Sequence, residues 1–206
     1  MNGLPSPLRL GFLASHNGTN MRAVVAACRD GRLKAEPALL ISNNRDSAAL
    51  AWAAHNGVAG VHISATSTGS DESADAAIAQ ALRIQRVDVV ILAGYMRKLG
   101  PRTLAAFPRR ILNAHPALLP KFGGQGMYGS RVHAAVLDAG EAETGVTIHL
   151  VDEVYDHGAR LAQATVPVLP GDTAETLAVR VQAREQELFP EVLRRIIAGE
   201  IDLDRV

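Results

Sequence analysis

Short apolar runs alternate with longer stretches of helical spacing through the first half of the chain. Leu8 to Ala14 predicts a strand; a polar turn follows at Ser15 to Asn20, and a helix runs from Met21 towards Gly31. Ala38 to Ser42 predicts a second strand, Ala48 to Asn56 a helix closed by Gly57, and Val61 to Ser64 a third strand. In Asp71 to Arg86 the apolar residues Ala74, Ile78, Ala81 and Leu82 recur at helical intervals. Val87 to Ala93 is apolar except for Asp88, as expected of a central parallel strand covered on both faces, and Ile111 to Ala114 predicts the next strand.

The rhythm changes after Pro116. A loop rich in glycine and proline extends to about Gly129, and a helix follows over Ser130 to Ala139. Gly145 to Val151 and Leu161 to Val168 then read as two strands with no helix between them, which predicts an antiparallel edge. Asp172 with Glu175 gives a helix N-cap signal. Leu177, Val181, Leu188, Val192 and Ile196 mark a long C-terminal helix, with Pro190 expected to kink it. The expected class is α/β: a doubly wound, mostly parallel sheet with an antiparallel C-terminal edge, in one domain spanning residues 1–206.

Composition narrows the function classes. Hydrophobic residues make up 48% of the 206, enough for a sizeable core. Twenty-one basic residues balance twenty-one acidic ones, so the broad positive footprint of a nucleic-acid binder is missing and no nucleic-acid partner is expected. Cys28 is the single cysteine; it excludes an internal disulfide and a multi-cysteine zinc site, and its apolar surroundings suggest a buried structural thiol. No apolar run approaches the roughly 20 residues of a membrane helix, and Met1 to Pro7 lacks the pattern of a leader, so a cytoplasmic, membrane-free protein is expected.

Candidate chemistry concentrates at strand ends. Ser15 to Asn20 joins the first strand to the first helix, where free N–H groups and the positive end of the helix dipole favour an anion; a phosphate fits there, and an ordinary polar N-cap turn is the alternative. Gly124 to Gly129 matches G-x-G-x-x-G, but no strand leads into it, so it reads as a mobile loop near the site and not as a dinucleotide fingerprint. In Asn113-Ala114-His115-Pro116-Ala117-Leu118-Leu119-Pro120, an amide and an imidazole two residues apart on a strand point the same way. Two donors aimed at one oxygen are what an acyl-transfer intermediate requires.

That last motif resembles the signature of the folate-dependent formyltransferases. The likeness continues through Leu92 to Arg97, Val146 to Val151, Asp152 to Asp156, Gln163 to Val168 and Arg180 to Gln182, covering about residues 8 to 200. Within the family, Asn17 to Asn20 is similar to the branch that formylates glycinamide ribonucleotide in purine synthesis. The resemblance implies 10-formyltetrahydrofolate as co-substrate, glycinamide ribonucleotide as small-molecule substrate, no metal, and a monomer or homodimer. It implies a phosphate-binding half at about 8–112 and a catalytic, folate-binding half at about 113–206.

By the same resemblance Asn113, His115 and Asp156 form a catalytic trio. Asn113 and protonated His115 would hold the developing oxyanion, and Asp156 would favour the imidazolium. Gly18, Thr19 and Asn20 map to the substrate phosphate, and Gln182 and Glu185 to its ribose and amine. Met96, Arg97, Lys98 and Leu99 would line the folate pocket beside Asn113 and the loop Asp152, Glu153, Val154, Tyr155 and Asp156. His149 would support the site from behind or simply pack. Transfer to a sugar amine, hydrolysis of formyltetrahydrofolate and transfer to methionyl-tRNA are the other readings; the last would need a further basic domain, and the hydrolase an additional N-terminal one.

Overall fold

The computed structural model describes residues 5–206. The reading of Met1 to Pro7 as leader-free rests partly on residues 1–4, which lie outside the described residues. Among the described residues seven strands form one sheet: β1 (Leu8–Ala14), β2 (Ala35–Ser42), β3 (Gly60–His62), β4 (Val89–Leu92), β5 (Ile111–His115), β6 (Glu143–Leu150) and β7 (Arg160–Pro167). Their order is β3-β2-β1-β4-β5-β6-β7. The first five run parallel, and β6 and β7 pair antiparallel to β5 and to each other. The chain is thus a doubly wound, mostly parallel sheet with an antiparallel C-terminal edge.

Alternation along the central strands divides two apolar layers. Leu8, Leu10, Phe12 and Ala14 of β1 and Val89 and Ile91 of β4 face one side. There they meet α1 (Thr19–Arg29), α2 (Ala48–His55), α6 (Ser130–Asp138) and α7 (Ala174–Ile197). Leu13, Val90 and Leu92 face the other side, under α4 (Asp71–Ile84) and α5 (Pro101–Ala106), with the one-turn α3 (Ala65–Thr68) preceding them. Gly11 permits this second layer to close, because a Cβ there would stand 2.6 Å from Leu82 Cδ2.

Several boundaries differ from the sequence reading for identifiable reasons. α5 was not expected; its first-turn N–H groups are satisfied by a distant residue, buried Asp75 of α4, which accepts from Arg102 N at 2.8 Å and Thr103 N at 3.0 Å. The C-terminal helix is capped by Thr173 with Thr176, not by Asp172 with Glu175. Asp172 instead accepts from Leu169 N at 2.8 Å and pairs with Arg180 at 2.7 Å. α7 continues through Pro190 as one helix. Cys28 is half-buried, and burial, with Asp30 adding, pushes its thiol up to about 11, well away from a reactive thiolate.

Strand order places the site. β1 leads outward to β2 and β3, whereas the chain later returns to β1's other edge with β4, so the carboxyl ends of β1 and β4 flank the crevice where open α/β sheets bind ligands. Ser15 ties its two rims: its N–H donates to Gly94 O at 3.0 Å and its Oγ accepts from Met96 N at 2.7 Å. The loop between β6 and β7 is pinned at Gly158, where a Cβ would fall 1.9 Å from the Leu150 carbonyl oxygen. Gly158→Ala is therefore expected to destabilise the protein by about 1–3 kcal/mol through overpacking against backbone. The fall in Tm measures it, and a variant melting with wild type would show that the loop is not held there.

Candidate active site

Asn113 and His115 occupy alternate positions of β5, and the antiparallel ladder sets Asn113 opposite His149 and His115 opposite Thr147. Residues opposite one another in such a ladder share a face, so the strand reversal gathers four polar side chains into one patch. The His149 Nδ1–H donates to the Leu150 carbonyl at 2.8 Å, which leaves Nε2 bare in the neutral ring. Nε2 lies 3.2 Å from Asn113 Nδ2 and accepts from it. His149 thereby settles which end of the Asn113 amide is nitrogen, and one amide N–H remains free.

Asp156 reaches the same patch from the loop after β6. Its Oδ2 stands 3.3 Å from His115 Nδ1 and 3.0 Å from Gly124 N, and its Oδ1 is 3.5 Å from His149 Nε2. Burial alone would raise its pKa. The hydrogen bond from His115, the His115 charge and the Gly124 N–H outweigh that effect and hold the carboxyl well below the usual range. Asp156 is thus no solvated loop carboxylate; its side chain is 11% exposed. Its φ of 56° lies in the left-handed region, an unfavourable conformation typical of residues held for a functional geometry.

His115 is buried, and its second nitrogen, Nε2, donates to the Phe122 carbonyl at 2.7 Å. Phe122 also has a left-handed φ, of 56°. The segment between these residues is anchored from below. Thr147 Oγ1 donates to Ala117 O at 2.7 Å and accepts from Leu119 N at 3.0 Å, and Gln163 and Arg160 both donate to Leu119 O at 2.9 Å. Thr147 and Gln163 are cross-strand partners on β6 and β7, a pairing that becomes visible only once the register is known.

The patch opens into a cavity of about 1000 Å³. At one end lies the start of α1, where Gly18 (φ 61°) is the N-cap and offers no side-chain cap to the first-turn N–H groups. A Cβ on Gly18 would press Ala49 at 3.2 Å and Met21 at 3.3 Å, and the positive φ adds strain for any other residue. Thr19 and Asn20 line this end with Gln182 and Glu185 of α7. Gln182 Nε2 donates to Thr19 Oγ1 at 3.3 Å, and Asn20 Nδ2 to Glu185 Oε2 at 3.2 Å. Desolvation pushes the Glu185 carboxyl up to about 7, against smaller opposing effects from Asn20 and His115.

The other end is lined by Met96, Arg97, Lys98 and Leu99 and by Asp152, Glu153, Val154 and Tyr155. Every site residue expected from sequence therefore lines this cavity except Gly18, which lies just behind its wall. The Gly124 to Gly129 segment forms part of the wall, with no strand leading into it, so it does not have the dinucleotide-binding context. Sequence reasoning missed His133 of α6, which also lines the cavity, and the anchoring pair Thr147 and Gln163. No sequence signal separates His133 from an ordinary helix histidine.

The chain matches the Formyl transferase family over residues 8–193 and belongs to it. It is 42% identical over 193 residues to the chloroplastic phosphoribosylglycinamide formyltransferase of Arabidopsis thaliana, covering 93% of this chain and 66% of the plant protein. A second plant relative, from Vigna unguiculata, is 38% identical and spanned over 60% of its length, so the chain covers less than two thirds of these relatives. The phosphoribosylglycinamide formyltransferase of Haemophilus influenzae is 33% identical, with 95% of this chain and 90% of that protein covered. Among solved structures, glycinamide ribonucleotide transformylase 1 of Symbiobacterium toebii superposes with a TM-score of 0.87 at 40% identity, covering 93% of this chain and 88% of that one.

The raised Glu185 pKa gives a pH-dependent expectation. A carboxyl whose folded pKa exceeds its unfolded value stabilises fully below the unfolded pKa, near 4.5, and loses that contribution as pH rises through about 7. Glu185→Gln, which cannot ionise, should match the wild-type Tm near pH 5 and exceed it increasingly towards pH 8. Parallel Tm curves across that range would show that Glu185 is not desolvated in the folded protein.

Proposed function

We propose that this chain transfers the formyl group of 10-formyltetrahydrofolate to the amine of glycinamide ribonucleotide, a step of purine synthesis, as one catalytic unit in the cytoplasm. One observation carries the reading: Asn113, His115 and Asp156 converge on the wall of a cavity that runs from the bare N-terminus of α1 to the Met96 to Leu99 rim. The names of the similar proteins point to the same reaction. The first end suits a phosphorylated amine, because unpaired helix N–H groups bind a phosphate without needing net positive charge. The second, with backbone groups, apolar side chains and the cations Arg97 and Lys98, suits a pterin-bearing co-substrate with an anionic tail.

In this reading the neutral amine attacks the formyl carbon, forming a carbon–nitrogen bond and moving the carbonyl electron pair onto oxygen. The free Asn113 N–H and the His115 Nε2–H donate to that oxygen, each donor of this kind being worth about 10²–10³ in rate. His115 must first exchange the Phe122 carbonyl for the substrate oxygen, so substrate binding replaces one acceptor with another on the same nitrogen. Asp156 remains ionised and accepts from His115 Nδ1–H, which fixes the ring with Nε2 towards the reacting carbon. The intermediate collapses as the bond from the carbon to the folate nitrogen breaks, and the proton lost by the amine is returned to that nitrogen. The chain's own groups account for each proton and electron pair, so the reading calls for no metal.

Incubation with both substrates should yield tetrahydrofolate and the formylated amide in equal amounts. Formate release without the amine would favour a hydrolase, and turnover only with a sugar amine would favour that acceptor. His115→Ala is expected to lower kcat by at least about 10²; an unimpaired variant would remove the residue from the chemistry. Asp156→Asn removes the charged acceptor that holds His115 Nδ1–H, so kcat should fall by at least about 10². A variant with wild-type kcat would show that the carboxylate does not position the imidazole.

A further inference from the structure

His133 takes no part in the chemistry above, yet its position is costly. It is 5% exposed, on α6, and lines the cavity. Its Nδ1 is sealed from solvent and has no hydrogen-bond partner among the described residues. Leaving a polar group buried in that way costs about 1–3 kcal/mol, and a position serving packing alone would be filled better by leucine. Nε2 also lacks a partner among the described residues but is not sealed, so the ring's remaining exposure lies at that edge, towards the cavity.

Burial, with His115 adding to it, holds the His133 pKa below that of an ordinary histidine, so near neutral pH the ring carries one proton. An orphaned N–H is rarer in protein interiors than an under-used acceptor. The proton therefore belongs on Nε2, and the bare Nδ1 is the sealed nitrogen. The cavity wall thus presents an uncharged donor close enough to His115 to feel its charge.

α6 packs against α7, the helix that carries Gln182 and Glu185, whereas the Met96 to Leu99 rim belongs to the segment that follows β4. We propose that the His133 Nε2–H binds the acceptor substrate by donating to the carbonyl oxygen next to its attacking amine. An amine held near Asn113 and His115 brings that oxygen within a few bond lengths of the reacting carbon. A neutral donor can orient it without setting a second cation beside the His115 imidazolium. The assignment rests on the proposed formyl transfer to glycinamide ribonucleotide.

Three proteins test it: wild type, His133→Leu and His133→Gln, whose amide nitrogen can replace Nε2. The Leu variant should raise KM for glycinamide ribonucleotide about tenfold, the loss of roughly one hydrogen bond to a well-held acceptor. Its KM for 10-formyltetrahydrofolate should stay unchanged and its Tm should not fall, because leucine removes the sealed nitrogen. The Gln variant should recover most of the loss. An unchanged KM in the Leu variant, a parallel rise in both KM values with a lower Tm, or a Gln variant as poor as Leu would each overturn the assignment. If the Leu variant does not fold, His133→Asn takes its place, since its amide reaches only the Nδ1 position: recovery by Gln but not Asn supports the proposal, and equal behaviour overturns it. Wild-type protein inactive on this amine would defeat the proposed function itself, whereas normal wild-type turnover with an unaffected Leu variant defeats only the role of His133.

Discussion

The site is organised around a carboxylate removed from water and held by two donors at once. Asp156 stands between the rings of His115 and His149, and the His115 and Gly124 N–H groups together overcome a desolvation effect that would otherwise neutralise it. Three segments meet there: β5 with His115, the glycine loop before α6 with Gly124, and the loop after β6 that carries Asp156 itself. Keeping one buried charge satisfied therefore locks three segments into a single arrangement. Removal of one partner from such a group leaves the others uncompensated, which is why its members act as a unit.

The sheet supplies what the carboxylate cannot. Parallel strands β1 to β5 set up the crevice, and the reversal at β6 turns its far wall into a polar face by placing His149 and Thr147 beside Asn113 and His115. Above that face the chain bends under constraint, with left-handed backbone at Phe122 and Asp156. The Thr147 and Gln163 contacts below hold the bend against its own unfavourable geometry.

Much of the architecture was legible from periodicity, because doubly buried strands and amphipathic helices leave strong patterns. β1 was read at its true bounds, Leu8–Ala14, and the antiparallel edge followed from two strands without an intervening helix. α5 was not legible: it is six residues long and takes its cap from Asp75 rather than from its own sequence. The start of α7 was misplaced by one residue because Asp172 and Thr173 are both good caps, and the pairing with Arg180 leaves the capping position to Thr173. In the site, the residues carried by ordered motifs converge on one cavity. His133 was not foreseen, because its significance lies in a missing partner and in proximity to His115, neither of which a sequence encodes locally.

The β5–β6 ladder also makes strand register part of the site's chemistry. Thr147 and His149 share the polar face, and Val146, Ile148 and Leu150 point into the apolar layer behind it. Side chains alternate with a period of two, so sliding β6 by a single residue would turn the imidazole into the core and bring Ile148 beside the Asn113 amide. A frame-preserving insertion or deletion in the turn from Gly140 to Ala142 would thus endanger turnover even if the sheet could re-form around it. Drift in length across this family should accordingly collect in the Gln125 to Gly129 segment, beyond the Gly124 contact, where no ladder counts residues.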